Sequence, residues 1–261
     1  MIKKIKKIIN YFKCFGSSAF KIIKYIIIQK IHKRNNIKKI IKIKSKKTGI
    51  NPFYIRPYTT DLIILKRILF KNGEYDFIYD KEYLSVIKKA KVIIDAGANI
   101  GVFSRMVLEI NNNLNVIAIE PEDNNFDMLI KNTSNYKANL IKKGLFNEKC
   151  NLKINESPSG EWGFTVTKTK KGEKFDVEAI SVNDLLKDYN IKEIDILKMD
   201  IEGSEYYVFD DSANSWLEKT KIIIIEMHDR KVPWCTLSVM SKMKELGFKY
   251  RIFCENYVFY K

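Results

Sequence analysis

An aspartate, two glycines and an asparagine follow a short apolar run near the middle of this 261-residue sequence. Residues 92–94 are all β-branched, which is typical of a strand buried on both faces. Asp95 comes next and opens the pattern D-x-G-x-N-x-G with Gly97, Asn99 and Gly101. The glycines allow the backbone to turn sharply and allow a ligand to approach it closely. Because apolar residues at helical spacing follow, this segment predicts a ligand-binding turn between a strand and a helix.

A second acidic residue, Glu120, ends the next apolar strand about 20 residues past the turn, where a carboxylate can accept hydrogen bonds from both hydroxyls of a ribose. Dinucleotide enzymes share this arrangement, but their glycine turn faces a pyrophosphate, which Asp95 would repel. S-adenosylmethionine carries a sulfonium, an amino group and a ribose, and it has no phosphate. The pattern therefore favours S-adenosylmethionine as cofactor, and a nicotinamide-dependent oxidoreductase is the alternative.

Two later apolar strands also end in polar residues that could do chemistry. Asp200 follows one of these strands, and Glu226 and His228 follow the other. In an open parallel sheet, ligands bind beyond the carboxyl ends of the strands. We therefore expect these three side chains to lie along the same edge of the sheet as the glycine turn.

Asp200, Glu226 and His228 are the candidate catalytic residues. Methyl transfer is an in-line displacement, so holding the acceptor oxygen, the methyl carbon and the sulfur in line supplies most of the rate. A hydroxyl acceptor is a weak nucleophile, and a nearby base helps it. His228 is the first choice for that base because the reference pKa of histidine is near neutral. The alternative is that the three residues bind a divalent cation, which would acidify the hydroxyl directly.

Other polar residues of these motifs have expected roles as well. We expect Asp95 to contact the methionine end of the cofactor, together with the glycine turn, and Glu120 to hold the ribose. Lys198 lies in the strand before Asp200. We expect it to pair with Glu202 or Glu205 and to have a structural role.

The net charge of +16 is concentrated at the N terminus of the chain. Sixteen of the 47 Lys and Arg residues lie between Lys3 and Lys47, and no Asp or Glu precedes Asp61. The remainder, with 31 basic and 31 acidic residues, is formally neutral, which argues against a basic nucleic-acid groove on the main domain. The four cysteines show no paired spacing, which indicates reduced thiols in a cytoplasmic protein.

Residues 1–48 form a basic arm in which Lys alternates with Ile. Apolar residues at helical spacing, such as Ile8, Ile9, Phe20 and Ile27, predict two amphipathic helices. Charges interrupt every window of about 18 residues, so we expect no membrane-spanning helix. Three interpretations of the arm's function are open. The arm could bind anionic lipids on the inner face of the membrane, pack on the domain as a partly loose arm, or bind nucleic acid.

The rest of the chain is divided into residues 49–90, which we interpret as lid or connecting helices, and residues 91–261, an α/β domain. Thr60 or Asp61 is expected to cap the helix that follows. A C-terminal hairpin of residues 247–260 would add an antiparallel strand. These features predict a Rossmann-like sheet of seven strands with helices on both faces, plus the basic N-terminal helical arm.

With these motifs placed, the sequence resembles the FkbM-type methyltransferases. The likeness lies in residues 55–77, 95–132, 194–205 and 224–229, and the first 48 residues fall outside it. The resemblance implies a Rossmann-like fold, S-adenosylmethionine as methyl donor, and O-methylation of sugars, polyketides or other small hydroxyl compounds. The first segment is similar to the version found in bacterial proteins of surface-polysaccharide synthesis. A sugar hydroxyl is therefore the expected acceptor, and a polyketide-like small molecule is the alternative.

Overall fold

The structure, a computed structural model, describes residues 2–32, 39–45, 51–57, 59–70, 72–155, 163–170 and 172–261. Three parts of the predicted arm, Met1 and residues 33–38 and 46–48, lie outside the described residues. The helices are α1 (Ile2–Phe15), α2 (Ser18–His32), α3 (Asp61–Leu69), α4 (Lys81–Lys89), α5 (Val102–Ile110), α6 (Asp123–Thr133), α7 (Val182–Asp188), α8 (Glu205–Val208), α9 (Asn214–Leu217) and α10 (Cys235–Glu245). The strands are β1 (Ile41–Ile43), β2 (Phe53–Ile55), β3 (Val92–Ala96), β4 (Asn115–Ile119), β5 (Ala138–Ile141), β6 (Gly144–Leu145), β7 (Asn151–Asn155), β8 (Thr165–Lys168), β9 (Val177–Ile180), β10 (Ile194–Met199), β11 (Thr220–Glu226), β12 (Lys249–Phe253) and β13 (Asn256–Tyr260).

The largest sheet has seven strands in the order β12-β13-β11-β10-β3-β4-β5. Strands β3, β4, β5, β10 and β11 run parallel, and β13 pairs antiparallel with both β11 and β12. The strand order reverses between β3 and β10, and open α/β sheets bind ligands at such a switch point. The topology confirms the predicted Rossmann-like sheet of seven strands.

Alternate residues of the central strands pack into two different cores. Ile93 and Val116 belong to the core that contains α3 to α6, whereas Ile94 and Ile117 belong to the core that contains α7 to α10. Side chains alternate between the two faces of a strand, so a sheet covered on both sides needs continuous apolar runs. This is why the central strands could be recognised in the sequence.

The two N-terminal helices pack against the first core. Four of their side chains are buried in it: Tyr11, Phe15, Ala19 and Ile22. The ring centroid of Tyr11 lies 5.5 Å from that of Phe70, and Sγ of Cys14 donates a hydrogen bond to the carbonyl oxygen of Leu69 at 3.1 Å. Within the described residues the arm is thus part of the folded body. No helix there is long and apolar enough to cross a membrane.

Several residues of the predicted amphipathic pattern are exposed: Ile8, Ile9, Phe20 and Ile27. The arm also contains a strand, β1, which pairs antiparallel with β2 and sets Ile41 opposite Ile55. The buried side of α1 carries Tyr11 and Phe15, whose rings contact Phe70 at the end of α3. The buried side of α2 carries the aliphatic Ala19 and Ile22.

The start of α3 also differs from the predicted cap. The side chain of Thr60 makes no capping hydrogen bond. Asp61 is fully buried, and its carboxylate accepts hydrogen bonds from the backbone N–H and from Nη2 of Arg56, both at 2.7 Å. Nη2 of Arg56 also donates to Oδ1 of Asn125 at 2.7 Å. The segment before α3 is therefore tied to α6 beside the carboxyl ends of the strands.

A second sheet of four short strands, in the order β6-β9-β7-β8, follows β5. Its small core contains Leu152 and Val177. Val166 in β8 and the preceding Phe164 reach the edge of the large sheet, where they line a cleft together with the glycine turn. All four cysteines are free thiols, as predicted.

Candidate active site

The glycine turn after β3 fits tightly against the end of β10. Gly97 has a φ of +71°, and a Cβ atom at this position would lie 1.8 Å from the carbonyl oxygen of Asp200. No side chain fits in that space, so only glycine allows the two strand ends to approach this closely. Gly101, with a φ of +83°, is the N-cap residue of α5.

Asp95 lies behind this turn. It is fully buried, and its Oδ2 accepts hydrogen bonds from the hydroxyl of Ser104 at 2.6 Å and from the backbone N–H of the same residue at 3.1 Å. Its Oδ1 lies 3.2 Å from Nζ of Lys198. Asp95 lines neither lobe of the cleft described below. The structure therefore places its carboxylate behind the turn, where it joins α5 to β10. Its contact with the methionine end of the cofactor stays a prediction.

Lys198 contacts the turn and not its predicted partners Glu202 and Glu205. Besides Asp95, its ammonium group lies 4.0 Å from Asp200, and it donates a hydrogen bond to the carbonyl oxygen of Gly97 at 2.7 Å. Burial lowers the pKa of Lys198, but the charges of Asp95 and Asp200 outweigh this effect and raise it. A charged lysine thus joins the ends of β3 and β10.

The cleft has two lobes that share Gly97, Asn99, Asp200 and Glu202. The first lobe, of about 560 Å³, is bounded by apolar side chains and by polar groups that include Glu120 and Asn125. Its apolar lining includes Ile119, Pro121, Leu145, Phe164 and Val166. Such a lobe suits a flat ring system with polar groups at one end.

Glu120 lies at the predicted position in the first lobe. Its Oε2 accepts a hydrogen bond from the backbone N–H of Asn99 at 2.8 Å, and its Oε1 accepts one from the backbone N–H of Glu122 at 3.0 Å. Burial raises the pKa of Glu120 to about 7, against the lowering effect of these two hydrogen bonds. Each carboxylate oxygen has a second lone pair with which it can accept a hydroxyl.

The second lobe, of about 550 Å³, lies between α3 and the turn. It contains Arg67, Glu74, Tyr75 and the catalytic candidate Glu226. The guanidinium of Arg67 forms ion pairs with Glu74 and Glu255, and it lies 3.9 Å from Oε2 of Glu226. Sequence reasoning assigned no role to Arg67 or Glu74, and the available signal was their position in residues 55–77, which resemble the family.

Carboxylates surround the imidazole of His228. Its Nε2 lies 3.6 Å from Oδ1 of Asp200, 3.6 Å from Oε2 of Glu202 and 3.8 Å from Oε1 of Glu226. Its Nδ1 lies 3.0 Å from Oε1 of Glu205, which is fully buried. The structure thus brings together the three catalytic candidates and adds Glu202 and Glu205. These two belong to the turn after β10, where the sequence showed only acids flanking a glycine.

The charges of this group affect its protonation. Burial alone would lower the pKa of His228, but the hydrogen bond to Glu205 and the charges of Glu205, Asp200 and Glu202 raise it to about 10. Burial, followed by the charge of Asp200, raises the pKa of Glu226 to about 8. These carboxylates stabilise a positive charge on the ring or beside it, whether a proton or a metal ion. A general base must be unprotonated, so these surroundings favour the divalent-cation alternative over His228 as the base.

A third depression adjoins the second lobe and opens to solvent. It shares Arg67, Glu202 and Glu226 with that lobe, and it is also lined by His228 and Tyr257. The catalytic candidates therefore lie where the two-lobed cleft meets this depression. This arrangement suits a reaction between a cofactor bound in the cleft and a second substrate that enters through the depression.

Comparisons with known proteins agree with this geometry. The sequence model of the methyltransferase FkbM domain matches residues 95–250, more than half of the chain. The hexuronic acid methyltransferase AglP of Haloferax volcanii is 26% identical over 180 residues, which cover 68% of this chain and 72% of that protein. The methyltransferase sdnD of Sordaria araneosa is 23% identical over 194 residues, which cover 61% of this chain and 74% of that protein.

Among solved structures, the methyltransferase FkbM from Methylobacillus flagellatus is 15% identical, with a TM-score of 0.46. The match covers 66% of this chain and 44% of that chain, so this sequence spans less than half of the solved protein. The family model rests on the segment from Asp95 to Tyr250, which carries both the glycine turn and the acidic strand ends. The chain therefore belongs to the FkbM methyltransferase domain family and is a methyltransferase.

Proposed function

We propose that this methyltransferase transfers a methyl group from S-adenosylmethionine to a sugar hydroxyl in the synthesis of a surface polysaccharide or another glycan. The observation that carries the proposal is the position of Asp200, which lines both lobes of the cleft and lies beside His228. A cofactor that fills the two lobes would present its reactive centre at this residue.

The first lobe fits the adenosine part of the cofactor. Its apolar walls suit the adenine ring, and the carboxylate of Glu120 suits the two ribose hydroxyls. The second lobe fits the methionine part, because Arg67 can bind its carboxylate and Glu74 can bind its amino group. Asp95 then has a positioning role, because it binds Lys198 and the first turn of α5 and so fixes the glycine turn in front of them.

The chain's own residues set the geometry of the transfer. S-adenosylmethionine supplies a methyl group on a cationic sulfur, and the carboxylates beside Asp200 attract that cation and so favour its binding. The acceptor oxygen forms its new bond to the methyl carbon while the carbon–sulfur bond breaks and its electron pair stays on sulfur. Asp200 and Glu226 lie where the acceptor's proton is released.

Two observations support a sugar acceptor. The open depression is lined by charged and polar side chains, including Asp229, Arg230, Lys231 and Tyr257, which can hydrogen-bond to several hydroxyls. In addition, one relative is named as a hexuronic acid methyltransferase. Aromatic Tyr257 offers a face on which a sugar ring can stack.

We further propose that residues 1–48 are a lipid-facing arm, residues 49–90 a cover over the cleft, and residues 91–261 the catalytic domain. The apolar side chains of Ile9, Phe20 and Ile27 are exposed, and Lys21 and Lys24 lie among them in sequence. Exposed apolar groups next to lysines suit the surface of an anionic membrane. The arm would then hold the enzyme near lipid-linked glycans.

The proposed function can be tested with the purified full chain. Calorimetry should show binding of S-adenosylmethionine and S-adenosylhomocysteine and no binding of NAD. Mass spectrometry of surface glycan from cells with and without the gene should show the loss of one CH₂ per modified sugar when the gene is absent. Binding of NAD without binding of S-adenosylmethionine would contradict the cofactor, and an unchanged glycan mass would contradict the acceptor.

A further inference from the structure

We infer that Asp200, Glu226 and His228 hold a divalent cation at the acceptor end of the cleft, an inference that rests on the proposed function. One ligand atom from each residue lies within 4.8 Å of the other two. Ligand atoms about 2.1 Å from a common ion are about 3.0 Å apart at a right angle and about 4.2 Å apart on opposite sides. Nε2 of His228 lies 3.6 Å from Oδ1 of Asp200 and 3.8 Å from Oε1 of Glu226, within this interval.

A hydrogen bond to Glu205 on the far side of the ring orients His228 for this role. Both oxygens of Glu205 accept backbone hydrogen bonds, from Ile201 at 2.9 Å and from Gly203 at 2.7 Å, which fixes its carboxylate. Nδ1 of His228 therefore donates to this fixed acceptor, and Nε2 faces the acidic side chains. The imidazole is 10% exposed, and among the described residues Nε2 has no partner at hydrogen-bond distance. A carboxylate behind a histidine whose other nitrogen faces acids is the usual arrangement at metal sites.

Neighbouring carboxylates already have cationic partners. Oε2 of Glu202 is also 3.6 Å from Nε2 of His228, but Nζ of Lys231 lies 2.6 Å from that oxygen. A second acidic group, formed by Glu74, Glu226 and Glu255, surrounds the guanidinium of Arg67. Arg67 and Lys198 lie farther from the proposed ligands, at 3.9 Å from Oε2 of Glu226 and 4.0 Å from Oδ2 of Asp200. The oxygens that face His228 are the other ones, Oε1 of Glu226 and Oδ1 of Asp200, so this group suits a metal ion better than its neighbours do.

Two carboxylates and one imidazole favour Mg²⁺ or Mn²⁺ among common divalent ions, with room for the acceptor oxygen as a further ligand. A hydroxyl bound to such an ion loses its proton to water more readily. The resulting oxygen forms a bond to the methyl carbon as the carbon–sulfur bond breaks. The ion would therefore do the work that sequence reasoning gave to His228 as a base.

Manganese provides a direct test. The full chain, expressed without a histidine tag and freed of metal with a chelator, is titrated with Mn²⁺ and followed by electron paramagnetic resonance. We expect one bound Mn²⁺ per chain and a hyperfine coupling to an imidazole nitrogen, which is diagnostic because the chain has only two histidines, His32 and His228. His228→Gln should abolish the coupling, and Glu226→Gln should weaken binding by at least about tenfold.

Glu255→Gln is the matched control, because it removes the same charge from the neighbouring acidic group and should keep Mn²⁺ affinity within about threefold. Circular dichroism shows which variants fold. If His228→Gln does not fold, the Mn²⁺ affinity of Glu226→Gln still tests the inference. The inference is overturned if Mn²⁺ does not bind, if no nitrogen coupling is seen, or if Glu255→Gln weakens binding as much as Glu226→Gln. Calorimetry with S-adenosylmethionine in the presence of chelator separates the metal site from the proposed function. If the cofactor binds without metal while Mn²⁺ does not bind, the proposed function stands and the metal site is wrong.

Discussion

Oε2 of Glu120 accepts a hydrogen bond from the backbone N–H of Asn99 at 2.8 Å, which joins the end of β4 directly to the turn after β3. The carboxylate is therefore fixed before any ligand arrives, and it lines the first lobe. A fixed acceptor loses little conformational entropy on binding, so its contribution to affinity is large for a single side chain.

Replacing Glu120 should weaken cofactor binding. We expect Glu120→Ala to lower the affinity for S-adenosylmethionine by at least about tenfold, or about 1.4 kcal/mol, because the ribose hydroxyls lose their acceptor. Isothermal titration calorimetry measures the change. Glu178→Gln, a change of an exposed glutamate in the small sheet, is the control and should bind like the original chain. An unchanged affinity in Glu120→Ala would mean that the first lobe does not hold a ribose.

The same residue predicts a pH dependence. Because burial raises the pKa of Glu120 to about 7, the carboxylate is ionised above that pH and protonated below it. A protonated carboxyl accepts hydroxyl hydrogen bonds less well, so cofactor affinity should fall as the pH drops from about 8 to about 6. Glu120→Gln stays neutral and should bind weakly with a flatter profile. A wild-type profile without any change near pH 7 would contradict this prediction.

The folding stability should fall as the pH rises, whereas the cofactor affinity should increase. A folded-state pKa above the model value of 4.5 means that the native protein binds the proton more tightly than the unfolded chain. The stability that Glu120 contributes without cofactor is therefore present at low pH and is lost as the pH rises through about 7. Denaturant unfolding at several pH values measures this loss, which should be absent in Glu120→Gln.

The close contact at Gly97 can be tested against a second glycine with a similar backbone. Gly172 has a φ of +89°, but a Cβ atom there would meet nothing within 4 Å. Gly172→Ala should cost about 1 kcal/mol through strain alone. Gly97→Ala adds a clash with the carbonyl oxygen of Asp200, so we expect a loss of about 3 kcal/mol or more and strongly weakened cofactor binding. Equal effects of the two substitutions in urea unfolding would contradict the close packing of β3 and β10.

Lys198 should be essential to stability as the partner of a buried charge. Lys198→Met leaves the fully buried Asp95 without its cation, which should cost about 3–5 kcal/mol. Lys221→Met removes a half-exposed lysine from Asp195 and should cost less than about 1 kcal/mol. The double substitution Lys198→Met with Asp95→Asn should recover part of the loss. If the double variant were less stable than Lys198→Met, the two charges would not be partners.

Membrane contact of the arm can be measured by flotation with liposomes. Phe20→Ser with Ile27→Ser should reduce binding to vesicles that contain anionic lipid several-fold, because both side chains are exposed and next to lysines. Ile130→Ser, which changes an exposed isoleucine on α6, should leave binding unchanged. Binding should also weaken with salt and be absent with zwitterionic vesicles. Equal flotation of all variants would place the membrane contact elsewhere or exclude it.

Much of the large sheet could be predicted because its strands are buried on both faces. The run before Asp95 is apolar without interruption, and the run before Asp200 is apolar except for Asp195 and Lys198. An acid follows each run at the same edge of the sheet. Helix α4, Lys81–Lys89, lies within residues 49–90, where connecting helices were expected, because its apolar residues recur with helical spacing. The position of Glu120 could be predicted in the same way, because it directly follows an apolar strand of the parallel sheet.

Other features depend on contacts between distant segments, which spacing along the chain does not reveal. β1 has three residues in a Lys/Ile pattern that also suits a helix, and its pairing with β2 decides its structure. The partner of Lys198 depends on which strand lies beside β10, since Asp95 is over 100 positions away in sequence. The protonation of His228 depends on Glu205, which reaches it from the turn before α8.

The contact between Cys14 and Leu69 has a practical consequence for anyone who prepares this enzyme. Leu69 lies one turn or less from Arg67 on α3, so the N-terminal helices support the back of the helix whose front borders the catalytic cleft. A shortened protein that starts after residue 48 would expose rings such as Phe53 and Phe70 to water and leave β2 without its partner strand. Such a fragment should aggregate, and its inactivity would say nothing about whether the removed helices take part in the reaction.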